Sequence, residues 1–129
     1  MKVYLISSLF AGFAFWQCWF TADQQGDRLM ADGRFAEAAE VYRDPMRQGV
    51  AWFRAGEFKK AGQVFARVPT AEGEFNRGNA LVFQGLYEDA VRRYDRALEL
   101  HPDWEDAKVN RSVAAARAEA LKAEGGDMG

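Results

Sequence analysis

One spacing of glycine, alanine and aromatic residues occurs three times along the chain. Its members are Gly26, Gly33, Phe35, Ala38 and Tyr42 in the first copy, Gly49, Gly56, Phe58, Ala61 and Phe65 in the second, and Gly78, Gly85, Tyr87, Ala90 and Tyr94 in the third. A frame that returns with helix-compatible spacing is typical of stacked helical hairpins. Such arrays are built to hold other proteins, so the pattern favours a binding module.

Each copy is predicted to form two antiparallel helices joined at its second glycine. Gly33, Gly56 and Gly85 stand where a first helix ends, at the position that favours a left-handed backbone. The aromatic residue that follows begins the apolar stripe of the second helix. The first glycine and the alanine are small residues on facing helices, and their size is expected to let the two backbones approach closely.

Start signals agree with this frame. Thr21 with Gln24 forms a candidate capping box, and Asp44 precedes a proline at the first helical position. Thr70 is predicted to cap the fifth helix, and Asp103 with Asp106 the seventh. The predicted helices are 22–32, 34–43, 46–55, 57–67, 71–84, 87–99 and 103–122, with no strand pattern, which indicates an all-α fold.

Residues 71–104 resemble one complete tetratricopeptide repeat (TPR). The positions that match the family's signature are Gly78, Leu81, Gly85, Tyr87, Ala90, Tyr94, Ala97 and Pro102. Glu74 and Arg77 stand where the family often has tryptophan and leucine, with Phe75 adjacent. The resemblance implies a superhelix of helical hairpins, about three repeats followed by a capping helix.

The first two copies are shorter than the third. The intervals from Gly26 to Gly49 and from Gly49 to Gly78 both fall short of the family's repeat length of about 34 residues. The predicted units are 22–44, 45–69 and 71–104. Phe75-Asn76-Arg77 recurs one full repeat length later as Val109-Asn110-Arg111, so 103–122 is predicted to be the first helix of a fourth unit, acting as a solvating cap.

The order of motifs narrows the resemblance. Asp23-Gln-Gln-Gly26, Asp44-Pro45 and Phe75-Asn-Arg-Gly-Asn-Ala-Leu81 occur in the order found in the TPR segment of bacterial von Willebrand factor A/TPR membrane proteins. The same order is similar to that of TPR proteins of the Bat aerotolerance operons. The resemblance implies a von Willebrand factor A membrane protein as partner, working with a MoxR-type ATPase.

The N-terminus differs in kind from the repeats. Residues 3–22 carry no charge, and at about 1.5 Å per helical residue this stretch is long enough to cross a bilayer. Trp16, Trp19 and Phe20 cluster at its far end. Residues 1–21 are therefore predicted to be a transmembrane anchor in the bacterial inner membrane. Lys2 favours a cytoplasmic N-terminus with the repeats, 22–124, in the periplasm. A cleaved signal segment and a buried amphipathic helix are the alternatives.

Composition argues against several other functions. A net charge of −2 and no basic stripe disfavour nucleic-acid binding. One cysteine, Cys18, and one histidine, His101, leave no metal-binding or nucleophilic cluster, and no phosphate-binding loop is present. Asp103, Glu105 and Asp106 suit the first turn of a helix rather than a metal site. The chain is predicted to be non-enzymatic, without cofactor or small-molecule substrate, and residues 125–129 are expected to be disordered.

The candidate site comes from the family resemblance, which places ligand-facing positions on the first helix of each unit. Carried onto this chain, the partner-binding candidates are Arg47, Phe53, Arg54, Phe75, Asn76, Asn79, Phe83, Asn110 and Arg117, with Met30, Val50, Val82, Asp106, Val109 and Val113 beside them. Asparagines suit a peptide backbone, arginines a carboxylate and phenylalanines apolar anchors. Alternatively, the asparagines only satisfy neighbouring helices.

The sequence therefore predicts a membrane-tethered, exported adaptor that binds a protein or peptide partner through its concave face. A structural scaffold is the alternative, with the groove unused or filled by helix 103–122. A carboxylate clamp of the chaperone type is disfavoured, because Met46 and Phe75 stand where such clamps have lysine.

Overall fold

The computed structural model describes residues 21–126, and within that range the fold is entirely helical. Seven helices follow one another: α1 (Ala22–Ala31), α2 (Phe35–Val41), α3 (Pro45–Arg54), α4 (Phe58–Phe65), α5 (Ala71–Phe83), α6 (Tyr87–Leu100) and α7 (Glu105–Gly126). This confirms the predicted all-α class. The anchor or signal segment predicted at 1–21 lies, except for Thr21, outside the described residues. Nowhere in 21–126 does a helix combine the length and apolar content needed to cross a membrane.

The helices pair in the order of the chain. Helices α1 and α2 form the first unit, α3 and α4 the second, and α5 and α6 the third, and each helix packs against the next. Helix α7 packs against α6 and also contacts α5, as the first helix of a fourth unit would. Buried side chains form one cluster for each unit, centred on Tyr42, Phe65 and Tyr94.

The turns inside the units are all built in one way. Gly33, Gly56 and Gly85 have φ of 74°, 79° and 76°, as predicted for left-handed residues after a helix. At the first of them, the N–H of Gly33 donates to the carbonyl of Met30 and that of Arg34 to the carbonyl of Leu29. The other two turns repeat this pair of hydrogen bonds, which defines the Schellman motif.

Most predicted helix starts are confirmed. Thr21 and Gln24 form the capping box, Asp44 accepts from the N–H of Arg47, and Thr70 accepts from the N–H of Gly73. The start of α7 was predicted wrongly, because Asp103 lies in the preceding turn and the helix begins at Glu105. Helix α7 also continues to Gly126, past the predicted end at 122, because no reversing turn interrupts its alanine-rich sequence.

The first glycine of each unit packs against an aromatic ring of the same unit and not against the facing alanine. A Cβ added to Gly26 would lie 2.5 Å from the ring of Tyr42, and one added to Gly78 would lie 2.6 Å from the ring of Tyr94. Gly49 faces Phe65 in the same way. The frame therefore couples its first glycine to its last aromatic residue, which is a more specific contact than the close approach of backbones that the sequence predicted.

Candidate partner-binding face

The first helices of the units present corresponding positions. Because Ser112 follows Gly78 by one full repeat length, it occupies in α7 the place that Gly26, Gly49 and Gly78 occupy in α1, α3 and α5. We call the surface built from the residues around these four positions the inner face. Three junctions lie along it: first (α1 with α3), middle (α3 with α5) and last (α5 with α7).

At the first junction the inner face is charged and internally paired. The Tyr42 hydroxyl donates to the Asp27 carboxylate at 2.7 Å, and the Arg47 guanidinium donates to the same carboxylate at 3.1 Å. Burial, followed by the hydrogen bond to Asp27, raises the pKa of Tyr42 to about 12. Nearby, the Asp23 carboxylate accepts from the N–H groups of Arg43 and Asp44, and these bonds lower its pKa.

At the last junction the same positions are neutral. The Tyr94 hydroxyl donates to Asn79 Oδ1 at 2.6 Å, and Asn110 Nδ2 donates to that oxygen at 3.0 Å. Burial raises the pKa of Tyr94 to about 12. Asn79 and Asn110 correspond in position to Asp27 and Arg47. The first member of each pair directly follows the first glycine, and the second stands two places before the next equivalent position.

The middle junction has lost this hydrogen-bonded arrangement. Phe65 stands where the other units have tyrosine, and Val50 stands where they have Asp27 and Asn79. Asn76 occupies the place of Arg47 and Asn110, and within residues 21–126 its side chain has no hydrogen-bond partner. The hydroxyl and its acceptor are therefore present together at two units and absent together at the third.

A second series of contacts joins neighbouring units at the turn end of the inner face. The Arg54 guanidinium lies 4.4 Å from the ring centre of Phe35, and that of Arg117 lies 5.8 Å from the ring centre of Tyr87. At the equivalent place between them, Phe83 stacks on Phe58 with centroids 4.8 Å apart, and Phe53 meets both rings edge-on. Each aromatic residue after a second glycine is thus covered by the next unit.

Phe75 takes part in packing within the third unit. Its ring centroid lies 5.8 Å from that of Tyr94 and 4.4 Å from that of Trp104. Together with Leu81 and Val82 it packs against the buried cluster of Ala90, Tyr94 and Ala114. Burial among these residues accounts for an aromatic side chain at this position without any ligand.

A cleft of about 180 Å³ opens on the inner face at the last junction. Its lining consists of Asn79, Val82, Phe83, Tyr94, Asn110 and Val113. Phe83 and Val113 remain 62% and 48% exposed, and Val109, one helical turn before Val113, is 52% exposed. Three of the nine predicted partner-binding residues, Asn79, Phe83 and Asn110, therefore meet in one cleft beside exposed apolar side chains.

The other predicted residues do not converge on this cleft. Arg47, Arg54 and Arg117 each contact a different neighbour, namely the carboxylate of Asp27 and the rings of Phe35 and Tyr87. Phe53 and Phe75 lie in ring clusters. Tyr94 also lines the cleft, although the sequence pattern predicted it only as an aromatic residue of the repeated spacing. In each unit the last aromatic residue changes together with the residue that follows the first glycine: Tyr42 with Asp27, Phe65 with Val50, and Tyr94 with Asn79. This joint change is the sequence signal that links Tyr94 to the inner face.

A larger groove of about 360 Å³ lies elsewhere, between the start of α6 and the end of α7. Lys122 donates to Glu88 across it at 2.9 Å, which lowers the pKa of the Glu88 carboxyl and raises that of Lys122. Leu86 and Leu121 form its apolar walls. In the part of the chain from 21 to 126, no group of three or more His, Cys, Asp or Glu side chains is placed to hold a metal ion.

The comparisons with known proteins concern the C-terminal part of the array. A search of curated proteins found no match to the chain. Residues 75–127 match the family model described as tetratricopeptide repeat, and this segment contains most of α5 and all of α6 and α7. The match and the helical-hairpin architecture together support a tetratricopeptide repeat in this part of the chain, and such a repeat suggests a protein–protein interaction or scaffold role.

Proposed function

We propose that the chain is a non-enzymatic adaptor that binds a protein partner through its inner face. The observation that carries this proposal is the exposed apolar surface at the last junction, formed by Phe83, Val109 and Val113 beside the cleft. Large apolar side chains exposed next to one another mark interaction sites on soluble domains. The adjacent amides of Asn79 and Asn110 supply polar groups that can orient a bound segment.

The scaffold alternative predicts that the groove is unused or filled by the chain's own last helix. Helix α7 packs on α6 and contacts α5 at its side, and it leaves Phe83 and Val113 open to solvent. It thus extends the inner face and does not cover it. This arrangement favours the adaptor over a scaffold whose groove is closed by residues 103–122.

We further propose that the adaptor is tethered to the bacterial inner membrane, or exported through a cleaved leader, with its repeats in the periplasm. The uncharged stretch 3–22 supports this part of the proposal. The order of motifs that resembles von Willebrand factor A/TPR membrane proteins supports a von Willebrand factor A membrane protein as partner, in a complex with a MoxR-type ATPase. Both statements rest on the sequence.

Site-specific photocrosslinking in native membranes tests the proposal. A photoreactive amino acid is placed at Val113 on the inner face, with a matched chain carrying it at Leu100, which is 44% exposed on α6. We expect a von Willebrand factor A protein to be crosslinked from position 113 and not from position 100. Equal capture at both positions, or capture only of a second copy of the chain, would contradict the adaptor and favour the scaffold. The intact mass of the recovered chain distinguishes an anchor from a cleaved leader.

A further inference from the structure

We infer that the cleft at the last junction takes an uncharged, extended peptide segment with an aliphatic or aromatic side chain, and that it disfavours an acidic segment or chain end. The inference rests on the proposed function, because it names the chemistry of the partner at the same face. It follows from three properties of the cleft: the hydrogen-bonding groups left free, the apolar walls and the position of the charges.

The hydrogen bonds within the cleft leave one kind of group free on each asparagine. Asn79 Oδ1 accepts from both Tyr94 and Asn110, so both of its acceptor positions are used and its NH₂ group keeps its donors. Asn110 donates one N–H to Asn79 Oδ1 and keeps its carbonyl oxygen as a free acceptor. A donor on one helix beside an acceptor on the next matches the C=O and N–H of a peptide group.

The walls of the cleft are apolar and the space is the size of one side chain. Val82, Phe83 and Val113 line it together with the amides, and its volume is about 180 Å³. For comparison, an apolar cavity of about 150 Å³ holds a benzene molecule in another protein. A leucine or phenylalanine side chain can therefore enter while its backbone meets Asn79 and Asn110.

Charge opposes an acidic ligand at this place. None of the six lining residues is charged, so a carboxylate would lose water without gaining a cationic partner. The arginines that were predicted to bind a carboxylate lie elsewhere: Arg54 contacts the ring of Phe35, and Arg117 contacts the ring of Tyr87. Arg47 is paired with Asp27 at the first junction. The cationic side chains of the inner face thus belong to the fold and not to the cleft.

Nuclear magnetic resonance titration of the full chain in detergent micelles tests the inference. The probes are acetyl-Gly-Gly-X-Gly-Gly-amide peptides with leucine, phenylalanine, alanine or aspartate at X, together with the leucine peptide bearing a free carboxylate. We expect the leucine and phenylalanine probes to shift the side-chain amide signals of Asn79 and Asn110 and the methyl signals of Val82 and Val113. The aspartate probe is expected to bind at least about tenfold more weakly, and the alanine probe to lie between them.

Asn79→Asp is the decisive variant. The Tyr42–Asp27 pair shows that a carboxylate can accept the tyrosine hydroxyl at this position, so the unit is expected to stay folded. The substitution removes the free donors and adds a negative charge, and we expect it to weaken the leucine probe at least about tenfold. The matched control, Asp27→Asn at the first junction, is expected to change the affinity for that probe less than about twofold.

Several results would overturn the inference. One is that the aspartate or free-carboxylate probe binds as tightly as the leucine probe, or more tightly. Others are signal shifts that map away from the cleft, or the absence of binding by every probe. The last is that the Asn79→Asp chain binds the leucine probe with unchanged affinity. Crosslinking at Val113 separates this failure from that of the proposed function. If position 113 still captures the von Willebrand factor A protein, the adaptor stands and only the ligand chemistry is wrong.

Discussion

The first and last junctions of the inner face use the same positions for different chemistry. At the first, Tyr42, Asp27 and Arg47 form a charged set in which the arginine and the carboxylate neutralise each other. At the last, Tyr94, Asn79 and Asn110 make the same pattern of hydrogen bonds without charge, and a cleft opens beside them. The same positions therefore hold an ion pair at one junction and leave amide groups free at the other.

The comparison shows that an equivalent place in the repeat does not imply a shared role. The tyrosine hydroxyl needs an acceptor at both junctions because its ring is buried against glycine. Either a carboxylate or an amide satisfies this requirement. Only the amide keeps N–H donors of its own, so Asn79 offers donors to another molecule and the Asp27 carboxylate offers none.

Substitution of Gly78 should have the largest effect, because it breaks the contact that both junctions share. In Gly78→Leu the added Cβ meets the ring of Tyr94 at 2.6 Å, and we expect the free energy of unfolding to fall by about 3 kcal/mol or more. Chemical denaturation of the full chain measures it. Gly125→Leu is the control, because nothing lies within 4 Å of an added Cβ there. A Gly78→Leu chain as stable as the native one would disprove the packing.

Adding the missing hydroxyl at the middle junction tests whether its positions correspond to those of the other two junctions. Phe65 is 2% exposed, so Phe65→Tyr places a hydroxyl next to Val50, which offers it no acceptor, and we expect the free energy of unfolding to fall by about 1–3 kcal/mol. Adding Val50→Asn supplies the acceptor, with Asn76 already present to complete the set. A double-mutant cycle in denaturant should then show favourable coupling of about 1 kcal/mol. Strictly additive effects would mean that the middle junction is not equivalent to the other two.

Alkaline unfolding tests the buried tyrosines at the two ends. Burial raises the pKa of Tyr94 from 10.0 to about 12, so the folded chain holds this proton more tightly than the unfolded chain. The contribution of Tyr94 to the free energy of unfolding is therefore complete below pH 10 and is lost as the pH rises to about 12. The loss is on the order of 2 kcal/mol.

In the same titration, Tyr94→Phe should make the unfolding free energy decline less steeply between pH 10 and 12. Tyr42→Phe should do the same at the first junction, where the pKa of Tyr42 is also about 12. The double variant should be the least sensitive of the three. A slope unchanged by both substitutions would show that these hydroxyls are not the groups that titrate.

The ion pair at the first junction should have the smallest effect. Arg47 and Asp27 are 52% and 54% exposed, so we expect Arg47→Gln to cost at most about 0.5–1 kcal/mol and less at high salt. Denaturation at low and high ionic strength measures both quantities, with Arg47→Lys as the charge-preserving control. A larger, salt-independent loss would mean that the first junction depends on Arg47 for more than charge.

Local structure was largely predictable because short-range rules decide it. The left-handed glycines, the caps at Thr21, Asp44 and Thr70, and the helical hairpins all follow from residues a few positions apart. Asp103 was misplaced because the residues around it offer several acidic groups that suit a helix start. The helix begins instead at Glu105, directly after Trp104, whose ring packs on Phe75. Phe75 and Trp104 lie far apart in the sequence.

The candidate site was predicted less well. The family pattern named nine side chains for one groove, but whether a side chain faces a ligand or a neighbouring unit depends on how the units stack. Arg54, Phe83 and Arg117 occupy equivalent positions, each five places after the first-glycine position, and each covers a ring of the preceding unit. The unequal lengths of the units hide this equivalence in the sequence.

The repeated helical hairpins follow from the amino-acid sequence alone, because the spacing of glycine, capping and apolar residues acts within each unit. Which inner-face groups are already bonded, and which remain free, depends instead on how the units pack against one another. Hydrogen bonds and ring contacts between units consume Arg47, Arg54 and Arg117 and leave the Asn79 and Asn110 amides beside an open cleft. Those contacts depend on the placement of one unit on the next, which no local pattern encodes.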